Sequence, residues 1–242
     1  MRQWGIELDY AMMAKELKDI LGLKNEPVAV TLIKKGMEMP EGYSVPDKPL
    51  RHCQAMMRAK HGEMLLVPGD SQACPASGSA LGIIPLPEKV GSGEFHHNMG
   101  MYESKGAAKL TIDTRPALEQ GSVIATAMAP LGKATLKPDV VVITALPEQV
   151  FWILPAAQTF AKGGRMEISM ASVQASCVDT TIIPYQTGQV NISLGCFGCR
   201  KTTDIAPEEM LVGIPEVRLA DTVSALVRMK EGPIAKSRVK AV

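Results

Sequence analysis

The sequence predicts a single α/β domain, residues 1–242, in which helices flank a mixed β-sheet. Three observations carry that prediction. Apolar, β-branched runs at 28–33, 140–144 and 210–214 read as strands buried on both faces. Apolar residues recur at helical spacing over 8–21 and again over 219–227. A strand, a proline-opened helix and the double glycine Gly163-Gly164 follow one another after Asp139, which makes one α/β unit.

In chain order, Leu8, Met12, Met13, Leu17, Ile20 and Leu21 share one face, opposite Lys15, Glu16, Lys18 and Asp19, and Gly22 ends this amphipathic helix. After the strand at 28–33, residues 36–49 hold three prolines and two glycines among charges and read as a surface loop, a candidate cover for a pocket. Pro49 opens a helix of about three turns that carries Cys53 and ends near Gly62. Residues 64–67 form a short strand, and Pro68-Gly69-Asp70 a turn. Small residues dominate 73–82. Either Pro75 begins a helix whose first amides favour a thiolate at Cys74, or the stretch serves close helix packing. His96 and His97 would point to opposite faces of a strand, so they read as loop residues. Residues 103–109 are helical, and 122–131 are apolar and small.

A helix opens at Pro147 and runs to Phe160. The segment 166–176 before Cys177 is either a strand or a helix from Ser172. Residues 184–189 read as a turn, 190–194 as a strand, 203–209 as one capped turn and 210–215 as another strand.

Composition narrows the function. Lys and Arg total 26 against 25 Asp and Glu, without a basic, aromatic-interleaved run, so nucleic acid is not a predicted partner. The basic end, 235–242, is read as a solvated tail. No apolar run reaches the roughly 20 residues of a membrane helix. Fifteen methionines read as gap fillers in a core poor in aromatics. The first seven residues are polar and mixed in charge, unlike a signal peptide, and five cysteines are an odd number. Reduced thiols in a cytoplasm are the expectation.

The chemistry concentrates at Leu194-Gly195-Cys196-Phe197-Gly198-Cys199-Arg200. Two thiols sit on a turn whose glycines, Gly195 and Gly198, let backbone N–H groups approach sulfur. A thioredoxin-like exchanger would start a substantial helix here, yet Arg200-Lys201-Thr202-Thr203-Asp204 follows without apolar periodicity. Structural zinc draws on two close cysteine pairs, and only one pair exists. One pair with the dispersed Cys53, Cys74 and Cys177 suits iron-sulfur ligation better, and Cys74-Pro75 matches the Cys-Pro ending of ferredoxin runs. No phosphate-binding loop, dinucleotide fingerprint, His-Glu-x-x-His or Gly-x-Ser-x-Gly motif competes.

The chain resembles the domain of unknown function family 169, found in archaea and anaerobic bacteria. The resemblance spans nearly the whole chain: Glu26-Pro27-Val28-Ala29-Val30, Cys53 with Ala59 and Gly62, and the Cys74-Pro75 turn with Ala80-Leu81-Gly82. It continues through Lys137-Pro138-Asp139, Gly163-Gly164-Arg165, Cys177, Pro184-Tyr185-Gln186-Thr187-Gly188, Cys196-x-Gly198-x-Arg200 and Glu208-Glu209-Met210. The resemblance implies a four-thiolate site of Cys53, Cys74, Cys177 and Cys196 holding a four-iron four-sulfur cluster. Cys199 would then lie outside the ligand set, beside Arg200, Gly195, Gly198 and Pro75, or replace Cys53. Electron transfer with a redox partner, or service to an anaerobic metalloenzyme, is the expected role. The alternative is a small-molecule-binding or regulatory protein with a structural cluster or zinc. Catalysis at an open iron and self-association stay open.

Overall fold

The computed structural model describes residues 9–171 and 173–237. Six strands form one sheet: β1 (Val28–Lys34), β2 (Leu65–Pro68), β3 (Val123–Pro130), β4 (Val140–Ala145), β5 (Asn191–Ser193) and β6 (Met210–Pro215). Their order is β2-β3-β1-β4-β6-β5, and helices cover both faces. The α/β class therefore holds. All five strand pairings are antiparallel. Parallel contact is confined, among the described residues, to the isolated bridges Ser44↔Leu65 and Leu50↔Gln72.

Alternation of side chains along the central strands builds two cores. Ala29, Val141, Ile143, Val212 and Ile214 face one side, where they meet Leu17, Ile153 and Leu226 from the helices Tyr10–Leu21, Pro147–Leu154 and Glu216–Lys230. Val28, Val30, Val140, Val142 and Leu211 face the other, against Cys53, Met56 and Cys199. Cover on both faces explains why these strands read as continuous apolar runs rather than alternating ones. Each fully buried Leu, Ile or Met contributes about 1.5–3 kcal/mol.

The first helix begins at Tyr10, where the Asp9 carboxylate accepts the Met12 amide at 2.9 Å, and ends in the left-handed Gly22 at φ 65°. Leu8, the first seven residues, Ser172 and the tail beyond Ser237 lie outside the described residues. Within the tail expected at 235–242, Lys236 pairs with Glu231 at 3.6 Å, in the helix Pro233–Ser237.

Residues 122–131, apolar and small, contain β3, which pairs with both β1 and β2. Alanines at 125, 127 and 129 dilute the β-branched Val123, Ile124 and Thr126, and pairing rather than propensity defines it. Residues 184–189 are not a turn: Ile183–Thr187 is helical, with Pro184 in its first turn, and Gly188 at φ 64° ends it. This helix continues a wide, π-helical segment, Ala175–Ile182, which carries Cys177. His96 and His97 lie neither on a strand nor in a loop but in the short helix Glu94–Asn98. The loop 36–49 contributes no residue to the lining of the cavity that holds the cysteines. Among the described residues no helix is long and apolar enough to cross a membrane.

Candidate functional site

The five cysteines, dispersed between positions 53 and 199, line one cavity of about 230 Å³. Each sits at the start of a helix. Cys53 is the second residue of His52–Lys60, Cys74 caps Pro75–Ala80, and Cys177 is the third residue of Ala175–Ile182. Cys196 caps Phe197–Thr202, and Cys199 stands one turn further along it. The opening amides of a helix have no partner within it, so they are available to sulfur. The Cys199 amide donates to Cys196 Sγ at 3.4 Å. Pro75 occupies the first helical position behind Cys74, as the sequence predicts.

All five are free thiols; Cys53, Cys177 and Cys199 are buried, while Cys74 and Cys196 are half-buried. Cys196 Sγ and Cys199 Sγ are 3.3 Å apart, and Cys199 Sγ lies 3.6 Å from Ser176 Oγ. Cys199 is thus inside the cluster of thiols, in the buried layer shared with Cys53. Gln174, in a left-handed conformation at φ 58°, turns the chain into the helix of Cys177, and its side-chain amide donates to Ala76 O. That bond ties the Cys177 segment to the Cys74 turn.

Crowding sets the electrostatics. Burial, then the neighbouring Cys74, pushes the Cys177 thiol far above its ordinary range. Burial raises Cys74, against the Ser77 amide, the Arg51 charge and the Ala76 amide. Its hydrogen bond with Cys199, then burial, raises Cys196 strongly. For Cys199 the Cys196 hydrogen bond lowers the thiol, but Cys53 and burial outweigh it. Without a cation these groups are neutral thiols at pH 7. A soft metal supplies the positive charge that lets several become thiolates together, releasing protons as it binds.

Among the described residues no three His, Cys, Asp or Glu side chains stand close enough to chelate one metal ion. A single zinc needs its donors at about 2.0–2.3 Å from one point. Five thiols stand at the cavity wall together with the imidazoles of His52 and His96, and no Asp or Glu lines it.

Arg200 does not face the cavity. Its Nε donates to Leu194 O at 2.8 Å and its Nη2 to Glu209 O at 2.6 Å, with Nη1 on Ala206 O, so it staples the loop behind Cys196. Gly195, at φ 88°, makes room for that staple: a Cβ there would come 2.9 Å from Arg200 Nε. The cations that line the cavity are Arg51 and Lys201. A Cβ on Gly198 would meet Arg51 Nη1 at 3.0 Å and Cys196 Sγ at 3.8 Å, so this glycine admits both the guanidinium and the sulfur. Phe95, His96, Met99 and Met101 form the wall beside the thiols. Sequence reasoning missed Arg51 and these four residues as site components, although the paired histidines were a visible signal.

The family model of the domain of unknown function family 169, described as uncharacterised ArCR, matches residues 16–225, a span that includes every cysteine. A protein of Methanocaldococcus jannaschii, named uncharacterized protein MJ0308, is 32% identical over 220 residues, covering 90% of this chain and 94% of the relative. No solved structure matches the chain. Both likenesses run through the sheet, the flanking helices and the thiol cavity together, and on that basis the chain belongs to the domain of unknown function family 169.

Proposed function

We propose that this protein binds a four-iron four-sulfur cluster through Cys53, Cys74, Cys177 and Cys196, and uses it to pass electrons to a redox partner or to serve a larger metalloenzyme. The observation that supports the reading is the convergence of cysteines from four separate helix starts on one cavity. Nothing in the folding of the sheet requires that convergence. Buried cysteines that merely filled space would be scattered through both cores, whereas the core on the opposite face contains none.

In this reading Cys199, whose sulfur lies 3.3 Å from that of Cys196, would stay outside the ligand set, and that exclusion is part of the proposal. The cluster, when bound, supplies a one-electron redox centre. The chain's own residues supply the rest. First-turn amides aimed at Cys74 and Cys196 stabilise sulfur charge. Phe197 and Leu194, about half exposed at 48% and 52%, form an apolar rim near Cys196. Lys201 lies 5.5 Å from the Phe197 ring. An apolar rim with a cation beside a redox centre suits brief docking of an acidic partner. A reduced cytoplasm belongs to the same reading, since it keeps free thiols available.

The test is anaerobic purification with absorption spectroscopy and iron, sulfide and zinc analysis of wild type and of five Cys→Ser variants. The expected result is a brown protein with a broad band near roughly 400 nm. That band is lost on substitution of Cys53, Cys74, Cys177 or Cys196 and retained in Cys199→Ser. Colourless protein carrying zinc or no metal, with all variants folded, overturns the proposal. Loss at Cys199 with retention at Cys53 reverses those two residues.

A further inference from the structure

We infer that the cavity in front of the thiols binds a small organic carboxylate with an apolar body, its charge held by Arg51 and its body by Phe95, Met99 and Met101. The inference rests on the cluster reading in one respect: with the sulfurs engaged, the polar groups that still face the cavity are those left for a ligand.

Among those groups Arg51 and His96 stand without a partner. The Arg51 guanidinium makes no hydrogen bond or ion pair among the described residues; the hydrogen bond at this position is made by its backbone amide, to Gln54 Oε1 at 3.0 Å. A guanidinium without a carboxylate, in a cavity that contains no acid, is a vacant seat for one. His96 is 3% exposed, its Nδ1 is buried without a partner, and neither ring nitrogen bonds to another described residue. Its ring is edge-on against Phe95, with centroids 5.1 Å apart, and both residues line the cavity. Beside them the wall carries the aromatic and thioether side chains of Phe95, Phe197, Met99 and Met101, which suit an apolar body. A fork-shaped cation, with Lys201 as a second positive charge on the wall, an unpartnered imidazole nitrogen and this apolar stretch match a monoanion with a hydrophobic body. A phosphate asks for several amides and more positive charge. The cavity measures about 230 Å³ and in the cluster reading the ligand has only the part in front of the thiols, so the ligand is small. Met99, 36% exposed, stands at the entrance.

The probes are benzoate, its uncharged isostere benzamide, acetate and inorganic phosphate. Each is titrated by calorimetry into anaerobically purified protein whose iron and sulfide content has been measured. Benzoate should bind about tenfold more tightly than any of the other three. In Arg51→Gln the preference for benzoate over benzamide should vanish, and Arg51→Lys should restore part of it. Equal affinity for benzoate and benzamide, a preference for phosphate, or no benzoate binding to wild type overturns the inference without recourse to any variant. Iron analysis separates the two readings. Iron-free protein that still selects benzoate removes the cluster and keeps the carboxylate site, and iron-loaded protein that ignores benzoate does the reverse.

Discussion

His52 precedes Cys53 and is only 1% exposed. Its Nε2 lies 3.2 Å from Thr181 Oγ1, and that hydroxyl donates its own proton to Ser176 O at 2.8 Å. Nε2 is therefore the protonated nitrogen, while Nδ1 is bare and without a partner. Burial pushes the ring pKa down to about 3. In the unfolded chain the ring takes its proton near the ordinary value of about 6.5. Between those values the unfolded state holds the extra proton, so stability is complete above pH 6.5 and is lost as pH falls toward 3. His52→Gln keeps a donor for Thr181 and removes the titration. Between pH 7 and 5, urea unfolding should show wild type losing about 2 kcal/mol more than the variant. Parallel pH dependences would mean that the native ring accepts a proton. At this scale the sequence was legible where a residue type names its chemistry, as with the five cysteines and Pro75. Arg51 and His96 were not, because a lone cation or imidazole acquires meaning only from what stands across the cavity.

At the scale of elements, the position of Cys177 depends on how closely the Ala175–Ile182 segment crosses β6. The crossing is possible because residue 213 is glycine: a Cβ there would stand 2.2 Å from Thr180 O and 2.9 Å from Pro184 Cγ. Backbone, not a flexible side-chain tip, blocks the space. Gly213→Ala must lift the helix from the strand, and overpacking of this kind costs about 1–3 kcal/mol or more. The displaced helix carries one thiol away from the other four. Gly213→Ala should therefore lower the urea midpoint and reduce iron content together, whereas Gly132→Ala, whose Cβ would stand 3.6 Å from its nearest neighbours, should leave both near wild type. Normal iron loading in a destabilised Gly213→Ala would detach the helix position from the site. The same crossing shows why this part of the chain resisted reading. Strands 28–33, 140–144 and 210–214 announce themselves by local apolar continuity. The helix at 175–187 is polar enough in sequence to pass for loop and turn, and its Ser176, Asp179, Thr180 and Thr181 are buried by the sheet and the cysteine turns around it.

Across the whole molecule the sheet separates two different kinds of stability. On one face, helices Tyr10–Leu21, Pro147–Leu154 and Glu216–Lys230 bury an aliphatic core with no cysteine in it. On the other, short helices of nine, six and six residues hold the cavity, His52–Lys60, Pro75–Ala80 and Phe197–Thr202. Helices that short are marginal by themselves. They depend on tertiary contact, and in the proposed holoprotein a metal-sulfur body joins their starts. A ligand that binds only the folded state stabilises it by mass action. Removing iron with an oxidant and chelator should therefore lower the melting temperature by about 10 °C, the size expected for a few kcal/mol in a chain of this length. The loss should be uneven. Hydrogen exchange should accelerate across residues 52–60, 75–80, 175–187 and 197–202, while 10–21 and 216–230 keep the protection of the aliphatic core. Uniform acceleration over both faces would mean that the thiol cavity and the sheet unfold as one unit. Unchanged exchange after complete removal of iron would mean that the five thiols are held in place by packing alone.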